Sequence, residues 1–384
     1  MNKTKTQATF FCPTQPHGAV SECHALFHIT DTHLSFTEQL DSILEAMAAF
    51  LADSPTQTPI FRRFFLSDAS NQQALLEERL EHIPFCATSI IQQPPLDGTK
   101  IALWLYSATD LYPEYGTFTH NGYTHYWLGG AIPYSRAGIS SLGAKQKESN
   151  SEHQMKDLFD TLFTELKPIG MTIEENCLRT WIFVRDIDVN YGGVVIGRRK
   201  YFQRIGLTPK THFIASTGIE GRHYDTNVLV QMDAYSAKGF QEGQVRHLYA
   251  LSHLSPTYDY GVTFERGTAV TYGDRRHIFI SGTASIDEKG NVLYIGDIAQ
   301  QTSRMLENIS ALLSEANADF SNIAIAFVYL RDVSDADIVR TIFAQRLPDL
   351  HYELVLAPVC RPTWLIEMEC IAITDCSYPE YNNY

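Results

Sequence analysis

Positive charge is scarce in this chain. Its 384 residues carry 30 Lys and Arg against 44 Asp and Glu, a formal net charge of −14. A nucleic-acid-binding surface needs clustered Lys and Arg to neutralise phosphates, so that class of function is excluded. The same field repels small anions at long range, so a site that uses one must supply its own arginines. Cysteine is sparse as well: Cys12, Cys23, Cys86, Cys177, Cys360, Cys370 and Cys376 are scattered, odd in number and without CxxC spacing. That pattern fits neither a disulfide framework nor a zinc site. The 14 histidines include no HExxH or comparable pair, and no Walker motif occurs. The expectation is a protein without metal or organic cofactor. No run approaches membrane-spanning length, and MNKTKTQATFF lacks the apolar core of a signal peptide, so a cytoplasmic protein with no membrane partner is expected.

What is present is repetition. Three β-rich runs end in aspartate: PIFRRFFLSD at Asp68, LRTWIFVRD at Asp186 and IAIAFVYLRD at Asp332. Each follows an amphipathic stretch: Leu40, Ile43, Leu44, Met47 and Leu51, then Leu158, Leu162 and Leu166, then Leu306, Ile309, Leu312 and Leu313. Spacing near i, i+3, i+4 and i+7 is that of one buried helix face. Closing strands follow at KIALWLYSA, NVLVQMDAYSA and WLIEMECIAI. Repetition resets the domain count. It predicts three α/β units over residues 1–108, 109–237 and 238–384, each a mixed sheet covered by helices on one face.

Within the units, the sequence predicts a lone opening strand at ALFHIT and a Tyr-rich connection from Thr109 to Tyr126. It predicts a hairpin over HIFISGTASIDEKGNVLYIGD, turning at Glu288 to Asn291. The tail CSYPEYNNY is expected to be loose. In WLIEMECI the period of two puts Ile366, Met368 and Cys370 on the helix-packed face. Glu367 and Glu369 then face neighbouring units or a cleft.

The third unit carries a resemblance. ISGTASID (Ile280 to Asp287), Gly296-Asp297, Gln301, Asn308, the Arg-Asp strand and IEMECIAI resemble the YjgF/RidA superfamily. Its members are usually small subunits that trimerise, with ligand clefts between subunits. Three units in one chain would mimic that trimer internally, which implies a monomer packed as a pseudo-trimer. Ser281 to Ile286 with Val359-Cys360-Arg361-Pro362 and Glu367 is similar to the chorismatase branch that makes 3-hydroxybenzoate, as is Ser216-Thr217-Gly218-Ile219. The sequence departs from that branch at Tyr294, where histidine is common, and at Arg304, where glutamate is usual.

The resemblance implies a cofactor-free enzyme that acts on chorismate or a related enolpyruvyl or cyclic carboxylate and releases pyruvate. Glu367 is the candidate catalytic acid. Aligned on their ends, the closing strands place Gln231 and Ala102 where the third unit has Glu367. Such an acid must stay protonated near neutrality, which burial achieves. Arg361, with Arg266 as a second clamp, suits a small carboxylate substrate through bidentate pairing. Cys360 has no base at a diagnostic position and reads as a residue that shapes the pocket. Ser216, Thr217, Gly218 and Thr283 offer hydroxyl and backbone N–H groups where close approach is needed. Arg198, in IGRRK, reads as part of a solvated helix face. The site is expected between the second and third units. Two alternatives stand beside this reading: a RidA-like imine or enamine deaminase, and a non-catalytic small-ligand-binding protein. Tyr352 occupies the register where RidA proteins carry the arginine of the former.

Overall fold

The computed structural model describes residues 5–13, 20–134 and 150–384. Among them the three repeats become three sheets of one topology. The first orders β1 (Thr6–Phe11), β2 (Glu22–Ile29), β5 (Ile101–Thr109), β3 (Gln57–Leu66) and β4 (Ala87–Gln92). The second orders β6 (Thr117–His120), β7 (Tyr123–Ala131), β10 (Val230–Lys238), β8 (Cys177–Val184) and β9 (Ala215–Glu220). The third adds an edge strand: β11 (Val245–Leu248), β12 (Gly267–Thr271), β13 (Arg275–Ala284), β16 (Ile366–Asp375), β14 (Ile323–Leu330) and β15 (Tyr352–Leu356). In every unit the last strand in sequence inserts at the centre. Only β3–β4, β8–β9 and β14–β15 pair in parallel.

The helices follow from the amphipathic stretches. They are α1 (Phe36–Asp53) and α2 (Ala69–Leu80), α3 (Asn150–Leu166), a one-turn α4 (Ile173–Asn176) and α5 (Ile187–Ile205), then α6 (Ile298–Glu315) and α7 (Ala336–Arg346). Ser35 starts α1 with a capping box to Glu38, and the Asp297 carboxylate accepts from Gln300 N at the start of α6. Leu40, Ile43, Leu44 and Met47 are buried on α1, as are Leu306, Ile309, Leu312 and Leu313 on α6. Each such side chain contributes about 1.5–3 kcal/mol. The repeated aspartates punctuate the change from strand to helix. Asp68 and Asp186 are the N-cap residues of α2 and α5, and the Asp332 carboxylate accepts from Ser334 N in the turn before α7.

The sheets meet in a shared aromatic core. The Trp104 ring of the first unit lies 6.4 Å from Trp127, 6.4 Å from Trp181 and 5.1 Å from Phe327, so one side chain gathers partners from both other units. Four expectations need correction. The ALFHIT strand is half of a β1–β2 hairpin, and a Cys12–Cys23 disulfide joins the residues beyond its Phe11–His24 pair. The Tyr-rich connection contains the β6–β7 hairpin. After β13 the hairpin turns where expected but is short: Ile286 bridges Val292, Asp287 N donates to Asn291 O (3.1 Å) and Leu293 N to Ser285 O (3.1 Å), and among the described residues no further pairing follows before α6. The tail is anchored: Tyr384 is buried, its N–H bonds Asp274, and its hydroxyl pairs with that of Tyr106 at 2.6 Å.

Candidate active site

The alternation of β16 separates two environments. Met368 and Cys370 pack into the core, while Glu367 and Glu369 point from the opposite face toward the second unit. Glu369 is saturated with donors. Trp181 Nε1 (2.8 Å) and the Tyr329 hydroxyl (2.9 Å) donate to it, as do Arg179 Nη2 and the Thr217 hydroxyl. A carboxylate so paired is stable in the interior. It ties β16 to β8 and β9 of the neighbouring unit.

Two residues earlier, Glu367 has a different setting. It lines a chamber of about 40 Å³ between the second and third units. The chamber is walled by β9, by α5, by the Val262–Arg266 segment and by the loop before β16. Glu367 is only 5% exposed, and its pKa is pushed up to about 8, chiefly by desolvation and then by the nearby charge of Glu369. Arg179 and Arg266 oppose that rise without cancelling it. At neutral pH the group is mainly a carboxylic acid, able to give up a proton.

The geometry depends on two glycines. A Cβ on Gly282 would sit 2.8 Å from Glu367 Cδ, and one on Gly218 would sit 2.9 Å from the Tyr191 ring. Neither position tolerates a larger residue without displacing the acid or the tyrosine. Gly282 reaches the chamber because the β13–β16 register shifts between Ile280 and Thr283. Gln301 on α6 fixes the loop before β16: its Nε2 donates to Thr363 O (2.9 Å) and its Oε1 accepts from Leu365 N (2.9 Å). Arg361 in that loop stacks over Trp364 at 4.9 Å.

Seven of the eight residues singled out above line the chamber: Glu367, Arg361, Cys360, Arg266, Ser216, Thr217 and Gly218. Thr283 does not. It is fully buried opposite Met368, and its hydroxyl donates to Ser281 O (2.9 Å), so the register shift presents Gly282 in its stead. Thr217 shapes the wall, but its hydroxyl serves Glu369 and accepts from Gly282 N (2.9 Å). Cys360 is held as a thiol, its pKa pushed up to about 12 by burial and the Glu367 charge, while the Tyr191 hydroxyl donates to its sulfur. A thiol so placed is no nucleophile.

Sequence reasoning missed two residues. Arg198 is not solvated: it is 2% exposed, lines the chamber, donates to the Ser216 hydroxyl (3.4 Å) and lies 5.8 Å from the Phe264 ring. Tyr191, two turns earlier on α5, closes the wall beside Cys360. The available signal was Gly197. A Cβ there would come within 2.6 Å of Glu152 O, so α5 lies against α3 and turns this part of its surface inward. Three guanidinium groups and one carboxylic acid therefore share an enclosed space. Such a set is chemically able to pair with anionic groups and to donate a proton beside them.

Comparison with known proteins agrees with the triplicated fold. The family described as Endoribonuclease L-PSP matches residues 268–374. A RutC family protein of Pyrococcus abyssi is 35% identical over 97 residues, covering 25% of this chain and 76% of that protein. The 3-aminoacrylate deaminase RutC of Acinetobacter baylyi is 30% identical over 98 residues, covering 25% of this chain and 77% of that protein. A solved chorismatase structure superposes with a TM-score of 0.61 at 16% identity, covering 96% of this chain and 98% of that one. That last likeness is one of fold, and it extends through all three units.

Proposed function

From the premise that this chain belongs to the endoribonuclease L-PSP family, also called YjgF/RidA, we propose that it is a chorismatase-like enzyme. Its substrate would be chorismate or a related enolpyruvyl or cyclic carboxylate. The observation that carries this reading is Glu367, a buried acid protonated near neutrality in a chamber lined by Arg198, Arg266 and Arg361.

In the proposed reaction the Glu367 O–H delivers its proton to the terminal methylene carbon of the enol ether. The double-bond electrons form the new C–H bond and leave an oxocarbenium centre at the ether carbon. Water adds to that centre, one of its protons returning to Glu367 and the other passing to the ring oxygen as that oxygen leaves. The adduct collapses with cleavage of the bond from ether carbon to ring oxygen, and pyruvate departs. The guanidinium groups hold the carboxylates, and Glu367 regains a proton from the attacking oxygen, directly or through solvent. Arg361, Arg266 and Arg198 thus bind, Glu367 acts, and Cys360 with Tyr191 sets the chamber's shape.

The relation to the aminoacrylate deaminase supports a second reading. An enamine, like an enol ether, is activated by protonation at carbon, so the same acid could serve a deaminase. One experiment separates the two. Purified protein mixed with chorismate should release pyruvate and leave a dihydroxycyclohexadiene carboxylate, read by chromatography. Release of ammonia from an enamine or imine, with chorismate untouched, would replace the first reading by the second.

A further inference from the structure

Beside the acid chamber, and sharing Arg266 with it, lies a second cavity of about 240 Å³. It opens between residues 208–213 of the second unit and residues 249–266 of the third. Tyr249, Leu251 and Tyr258 stand at its mouth, 39%, 60% and 48% exposed, and the buried carboxyl of Glu265 forms part of its lining.

The hydrogen-bond inventory of this cavity is one-sided. Glu265 Oε1 accepts from Phe213 N (2.7 Å), and no donor to Oε2 is found among the described residues. His212 Nδ1 lies 3.1 Å from Phe213 O. A carbonyl only accepts, so Nδ1 carries the hydrogen, and in the neutral ring Nε2 is an acceptor. Thr257 donates its hydroxyl to Phe264 O (2.5 Å), and Thr211 donates its own to Gly206 O (2.9 Å). Arg266 directs Nε and Nη2 to Ser255 O, at 3.3 and 2.9 Å. At Glu265 the cavity thus presents an acceptor, beside the Tyr249 and Tyr258 side chains and with Arg266 turned to Ser255 O, so a ligand reaching that carboxyl must bring a donor.

We propose that this cavity binds a small organic amine in its ammonium form. Its N–H groups would donate to Glu265 and His212, and its body would lie against Tyr249 and Tyr258. A cation over tyrosine faces is attracted by the ring quadrupoles, and the net charge of −14 draws cations toward the molecule. Burial raises the pKa of Glu265 against the pull of Phe213 N, His212 and Arg266, and an ammonium beside it would lower it again. The proposal is independent of the chemistry in the acid chamber.

Calorimetric titration of the full chain with benzylammonium, benzyl alcohol and benzoate tests it. Benzylammonium should bind at least about tenfold more tightly than either matched probe, since only it offers a charge-assisted donor. Glu265→Gln keeps an acceptor for Phe213 N but removes the charge, and should weaken benzylammonium about tenfold. Tyr258→Ala, at a half-exposed position whose loss leaves the core intact, should weaken it about two- to fivefold. Glu367→Gln, in the neighbouring chamber, should leave this affinity unchanged. Failure of benzylammonium to bind overturns the proposal. So does equal binding of benzyl alcohol or benzoate, or an affinity that follows Glu367 while ignoring Glu265 and Tyr258.

Discussion

The interface between the first and second units and that between the second and third use the same strands. Their contents differ. In the latter, Glu369 draws three donors across the junction and a fourth from Tyr329 of its own unit, and Glu367 beside it faces a chamber. In the former, Asp233 stands at the register of Glu369, gripped by Arg63 (2.8 and 3.0 Å) and by Gly130 N (2.7 Å). Gln231 replaces Glu367 there and donates to Ile90 O (3.0 Å). A Cβ on Gly129 would lie 2.7 Å from the Thr88 backbone, so the two sheets nearly touch where a cleft would be. At the third junction the anchor is Trp104 against Phe327, with Ala102 in the acid's place. One strand position thus fastens each interface, and the position two residues earlier holds an acid, an amide or an alanine in turn.

The largest effect expected is on turnover. Glu367→Gln should lower pyruvate release from chorismate by ~10²–10⁴-fold while a carboxylate analogue still binds. Full activity in that variant would remove the acid from the mechanism. Wild-type activity should fall as pH rises through about 8, where Glu367 loses its proton. The raised pKa means the folded chain holds this proton more tightly than the unfolded one. Its stability contribution is therefore present below about 4.5 and lost as pH rises through about 8. The Gln variant should lack that decline in urea titrations run across the same pH range.

The neighbouring interface should respond in stability. Asp233→Ala strands a fully buried Arg63 and should cost about 3–5 kcal/mol in denaturant unfolding. A loss below about 1 kcal/mol would mean that Asp233 does not anchor this junction. Arg361→Lys should weaken a carboxylate ligand about tenfold in equilibrium titration, because a point charge cannot reproduce the planar fork. Unchanged affinity would assign carboxylate recognition to Arg198 and Arg266. Smallest of all, Gln231→Ala should cost about 1 kcal/mol and leave turnover alone. Lost turnover there would erase the distinction between the two interfaces.

Much of this comparison is visible in the sequence because it follows from periodicity. The repeat, the buried helix faces and the outward-pointing Glu367 and Glu369 all rest on spacings of 3.6 or 2. The missed features depend on contacts that spacing does not encode. Arg198 looked solvated because IGRRK is polar, yet Gly197 brings α5 against α3 and turns its neighbour into the chamber. Thr283 and Gly282 exchanged places because a register shift moves the side-chain alternation by one residue. The Cys12–Cys23 pair was hidden because β1 had not been recognised as the partner of β2.

The position of Tyr384 bears on how the molecule reaches this arrangement. Its ring lies 5.3 Å from His125 in the second unit and 4.6 Å from His277 in the third, and its hydroxyl meets Tyr106 in the first. The Tyr106 contact spans 278 residues of chain. No unit can complete this junction alone, so the final native contacts are of very high sequence separation, and such contacts form slowly. The three sheets should therefore lose structure together on heating, in one transition, even though each has its own helices and its own strand order.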